Sequence, residues 1–155
     1  MGLMDKLKAV KNAVTGGAAK VHVECEGFSF TKPFTVTVVA QTMDAPVKIS
    51  RTYLKVQGQE EVEVSDVDVV YDSDGDSRCR SETVRASHVT VDQEYTVVDA
   101  QELEANTTYR WEVEVELPED APLIYIGCHC KHTYCAYAGL DCRGNDPDSG
   151  WVDLV

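Results

Sequence analysis

Cysteine and histidine are concentrated in one short stretch, Cys128-His129-Cys130-Lys131-His132-Thr133-Tyr134-Cys135, with Cys142 beyond it. Both residue types ligate zinc, which takes four ligands in a tetrahedron, and clustered thiols also support redox sensing. In an extended strand Cys128, Cys130 and His132 share one face, whereas Cys135 has the opposite parity. On a continuous strand Cys142 would lie roughly 40 Å from Cys130, at about 3.3 Å per residue. A closed site therefore needs a bulge, or a ligand from elsewhere such as Cys25 or His22. Without one, these cysteines are expected to behave as small, partly buried apolar thiols.

A second candidate is Asp72-Ser-Asp-Gly-Asp76, which resembles the start of a calcium loop. Asp72, Asp74 and Asp76 alternate as such a loop requires. The glycine that should follow the third aspartate is Ser77, and the closing acid falls on Thr83. The plainer expectation is a hairpin turn built on Gly75 and the aspartates. Asn145-Asp-Pro-Asp-Ser-Gly-Trp151 is a further acidic turn, and Trp151 is either a core anchor or an exposed contact. Catalysis needs a nucleophile, a base and an orienting group that converge. None of His22, His88, His129 and His132 stands in a motif of that kind, and Cys130 with His132 is spaced for a sheet face, so neither catalytic nor cofactor-binding residues are expected.

The elements that must carry these residues follow from periodicity. From Lys20 onward the period is two: Val21 and Val23, Phe34 to Val38, Ile49 to Val56, Val62 and Val64, Val67 to Tyr71. His88–Val91 and Tyr95–Val98 continue it, and Trp111, Val113, Val115 and Leu117 alternate with charges in the clearest run of all. Lys32-Pro33, Asp44-Ala-Pro46, Gly58, Asp74-Gly75, Asn106 and Pro118 read as the turns between strands, with one strand ending at Gly58. Many short alternating strands indicate an all-β, antiparallel, immunoglobulin-like sandwich of about seven to nine strands over 20–155. Residues 1–19 read differently. Leu3, Met4, Leu7, Val10 and Val14 recur at helical spacing, and Gly16-Gly17 ends the pattern, which predicts a short amphipathic helix and a glycine linker.

Charge limits the partners. The chain holds 27 acids against 14 bases, a net −13. Residues 1–20 hold Lys6, Lys8, Lys11 and Lys20 against Asp5, a surplus of three, so the remainder carries −16. Such a surface repels phosphate backbones, and nucleic-acid binding is not expected. No apolar signal core follows the N-terminal lysines, which implies a cytoplasmic protein with reduced thiols.

The order of strands suggests a family. Ala45-Pro-Val-Lys-Ile-Ser-Arg-Thr-Tyr-Leu-Lys-Val-Gln-Gly58 resembles a conserved strand region of arrestin-like domains. Leu103–Pro118 and the turn Glu119–Pro122 resemble the strand that closes on Leu-Pro, and Lys131–Asp141 resembles the strand after it. Gly139-Leu-Asp141 and Asp146-Pro-Asp148 are similar to the ending of the bacterial sporulation-control proteins of this superfamily. The resemblance implies an arrestin-like sandwich that acts by protein interaction, as an adaptor or regulator, without catalysis. Arrestins have more chain after the first sandwich, so their two-domain clasp is not expected here, and no receptor-contacting residue is matched. The expected partner is a protein, met through end loops or edge strands. The alternatives are a metal-binding or redox-sensing protein using Cys128–Cys135, and a peripheral membrane protein held by residues 1–14. A homo-oligomer would form through edge strands or the N-terminal helix.

Overall fold

The computed structural model describes residues 17–155, and the expected N-terminal helix lies outside them. The described chain forms eight strands: β1 (Ala19–Glu26), β2 (Phe34–Thr42), β3 (Val47–Tyr71), β4 (Ser77–Leu103), β5 (Thr108–Val115), β6 (Tyr125–Ile126), β7 (Cys130–Cys142) and β8 (Val152–Asp153). They build two antiparallel sheets, β1-β2-β5 and β4-β3-β7-β6, with β8 against β7. The alternating runs read from the sequence are these strands, and their apolar parity sets which face turns inward.

The sheets enclose two adjoining cores. Phe34, Val36 and Val38 of β2 face Leu54 and Val56 of β3 and Tyr134, Ala136 and Ala138 of β7. Beside them, Ala19, Ala40, Val47, Ile49, Leu103 and Leu140 form the second. Fully burying a side chain such as Leu54 contributes about 1.5–3 kcal/mol. Trp111 packs against both cores but is only partly buried, because β5 is the edge of its sheet, and it stacks on Tyr109 at 5.5 Å.

One expectation is overturned. The strand does not end at Gly58; β3 runs on for 25 residues to Tyr71, and β4 matches it over 27. Gly58 marks a close approach. A β-carbon there would stand 2.7 Å from Thr90 Oγ1 and 2.9 Å from Tyr134 Cε1. The pairing of β3 with β4 slips at this point, from Gly58↔Val91 to Gln59↔Val89, so Thr90 is the extra residue of a bulge. Beyond it the register is unbroken to Tyr71↔Ser77. The other expected turns are found, including Asn106 at φ 52° and the Asp146-Pro-Asp148 loop, which folds back so that Leu140 N–H donates to Pro147 O at 2.9 Å.

Gly58→Ala should cost about 1–3 kcal/mol through overpacking, measured by denaturant titration. Trp111→Ala should cost about 2–3 kcal/mol, below the ~3–5 of a fully buried aromatic, because one side of its ring is wet.

Candidate interaction surface

The Cys/His stretch is spread over a turn, a rim and a core. Ile126 pairs with Lys131, and Gly127 N–H donates to Cys130 O at 2.8 Å, which makes a tight turn with Cys128 and His129 at its tip. Cys128 is exposed there, and Cys130 is half-buried at the start of β7. His132 is buried. Its Nε2 lies 2.6 Å from Thr90 Oγ1, its ring meets Tyr134 edge-on, and its Nδ1 has no partner. Cys135, of opposite parity as the spacing implied, is buried with its Sγ directed at Gln57 O. Among the described residues no three His, Cys, Asp or Glu side chains come together as metal ligands. Cys25 lies on β1 in the other sheet, and the His22 ring meets Glu24 at 3.2 Å.

The aspartates of the second candidate sit at the tip of the β3–β4 hairpin. Asp72 accepts from the backbone N–H groups of Asp74 and Asp76 through Oδ1, at 3.1 and 3.0 Å, and Gly75 has φ +82°. Asp72 therefore builds the turn. On the outer face of the larger sheet, Tyr53, Tyr137 and Trp151 form an aromatic row with centroids 6.3 and 5.3 Å apart. Trp151 is 48% exposed and is no core anchor. Burial, and then the Asp148 carboxylate that accepts from its hydroxyl, push the Tyr137 phenol up.

The surface that sequence reading missed is the hairpin itself. The partner β7 leaves β3 at Val62↔Cys130. From Val64 to Tyr71, β3 has only β4 beside it, and β4 is the outer strand of its sheet. The result is a two-stranded ribbon that projects from the sandwich with a bare backbone edge. Its two faces differ. One presents Ser65, Val67, Val69 and Tyr71 opposite Thr83, Ser81, Cys79 and Ser77, eight positions without a charge. The other holds every charge of this stretch: Asp66, Asp68, Arg78, Arg80 and Glu82. Val67 is 60% exposed and Tyr71 73%, so the uncharged face is open to solvent. At the ribbon's base an open groove of about 750 Å³ runs between Glu61, Glu63 and Arg85 on one side and Ile126, Cys128 and Lys131 on the other. Ion pairs Glu63–Arg85 and Glu61–Lys131, both 2.9 Å, brace it. The signal in the sequence is that no glycine, proline or asparagine stands between Gly58 and Asp72.

No family model matches the chain, and no curated protein matches it. Among solved structures it is similar to Spo0M, a sporulation control protein from Bacillus subtilis, with 18% identity and a TM-score of 0.57. The two share a fold. The likeness covers 89% of this chain and 49% of Spo0M, so this chain spans about half the length of that one. The sandwich implied by the resemblance to sporulation-control proteins is therefore the observed fold. Among the described residues, no helix is long and apolar enough to cross a membrane.

Thiol chemistry follows burial. Burial, reinforced by Asp153 and Glu61, pushes the Cys135 thiol up to about 11. Only thiolate reacts, and a raised pKa keeps the thiol protonated until the pH nears that value. Alkylation at pH 8 should modify the exposed Cys79 and Cys128 and spare Cys135 in the folded protein, with peptide mass spectrometry as the readout.

Proposed function

We propose that this protein is a non-enzymatic interaction module, an adaptor or regulator, whose docking element is the β3–β4 ribbon. The observation that carries this reading is the uncharged, solvent-open face of the ribbon in a chain of net −13. Contiguous exposed apolar surface marks interaction sites, and Val67, Val69 and Tyr71 are contiguous along this face. The unpaired edge of β4 adds a second mode, in which a partner supplies a strand and backbone hydrogen bonds provide affinity. Likeness to a sporulation control protein supports a regulatory role over a metabolic one.

Val62 and Ala86 are directly paired, so a two-residue Asn-Gly turn can join them in place of residues 63–85. The shortened protein should keep a melting temperature close to wild type, because neither core contains a ribbon residue. It should lose the partner proteins that the wild type retains in parallel affinity captures. Equal capture by both forms would move the docking site off the ribbon.

A further inference from the structure

We propose that the ribbon pairs with the ribbon of a second copy, β4 to β4, antiparallel about a two-fold axis through Ser81. This rests on the reading of the ribbon as the docking element and names its occupant. A hairpin of two strands is at best marginal in water, and three or more strands with an apolar face are needed. Two ribbons joined at their free β4 edges make four.

Charge selects the register. Antiparallel pairing sets residues of the same face opposite each other, so the pairing can shift only in steps of two. With the axis at Ser81, Arg80 stands opposite Glu82 of the second copy, twice by symmetry, and Arg78 stands opposite Val84 of the second copy. One step in one direction pairs Arg78 with Glu82 twice but sets Arg80 against Arg80 at the axis. One step in the other sets Glu82 against Glu82 and leaves both arginines opposite uncharged residues. The register at Ser81 is therefore the one with unlike pairs and no like pair. Like charges directly opposite destabilise a ladder and unlike charges support it. Among the described residues neither Arg78 nor Arg80 makes an ion pair within its own chain, so both are available.

The same axis keeps like faces together. Val67, Val69 and Tyr71 of both copies then share one face, uncharged from Ser77 to Thr83 of each β4 and bounded at either end by the Glu63–Arg85 ion pair, while Asp66, Asp68, Arg78, Arg80 and Glu82 gather on the reverse. The overlap of residues 77–85 is about 30 Å long at ~3.4 Å per residue. The acidic bodies sit at its opposite ends, well beyond the ~8 Å over which charge is felt at physiological ionic strength, so repulsion between the bodies is screened. Each tip, with Asp72, Asp74 and Asp76, comes beside the base of the other ribbon near Arg85. Because the contact is isologous it closes at the dimer.

Sedimentation velocity over a concentration series tests this. Wild type should show a monomer–dimer equilibrium. Glu82→Arg should raise the dimer dissociation constant about tenfold or more, by facing Arg80 with arginine. Arg80→Glu combined with Glu82→Arg should restore it. A wild type that stays monomeric throughout, or a double variant no better than the single one, overturns the pairing. In a background of Cys79→Ser and Cys128→Ser, Ser81→Cys should form an intermolecular disulfide at position 81 on air oxidation, since directly opposed residues lie within disulfide range. Absence of that cross-link also overturns it. Unchanged melting temperatures exclude misfolding as the cause. If self-pairing fails while the shortened ribbon still loses captured proteins, the docking reading survives and only its occupant is wrong.

Discussion

Tyr134 lies across Gly58 with a ring carbon 2.9 Å from where a β-carbon would stand, and its hydroxyl donates to Pro122 O at 2.7 Å. Phe28, Phe30 and His132 close around the same ring. The main core is built around this seat, so any side chain at position 58 would force apart the strands that carry the protein's largest buried residues. The glycine also sits where β4 bulges at Thr90, and the Thr90 hydroxyl is what reaches the buried His132 nitrogen. One missing methyl group thus lets β3 stay continuous through the point where the sandwich ends and the ribbon begins.

Continuity has a cost. A strand that outruns its neighbour leaves backbone donors and acceptors without partners, and proteins usually blunt such edges with charge, bulges or proline. Here the charges are all on one face of the distal ribbon, so they solvate it without guarding the other face. That asymmetry separates this hairpin from an ordinary protruding loop, and it is why the surface reads as a docking element.

Much of the fold was legible in the sequence because burial imposes a period of two, and the runs Phe34–Val38 and Trp111–Val115 show it without ambiguity. The turns were legible where proline, aspartate or asparagine shape the backbone directly. Gly58 was misread because the same residue type serves a turn and a close approach, and only the tertiary neighbour distinguishes them. The ribbon was hidden for a second reason: the apolar parity switches between Val64 and Val67, so Val62–Tyr71 reads as two short strands although the pairing runs through it unbroken. The opposite parity of Cys135 to Cys130 was read correctly from spacing alone. Nothing local in the sequence could show that His132 would be drawn inward by Thr90, a residue 42 positions away.

Residues 63–85 contribute no side chain to either core, whereas Gly58, Tyr134 and the strands beside them are fixed by packing. Mutation in the projecting segment is therefore nearly free of the folding penalty that purges change elsewhere. Over generations the body can stay recognisable while the arm drifts rapidly. Descendants of one ancestor could come to serve different pathways without any of them having to reinvent a fold.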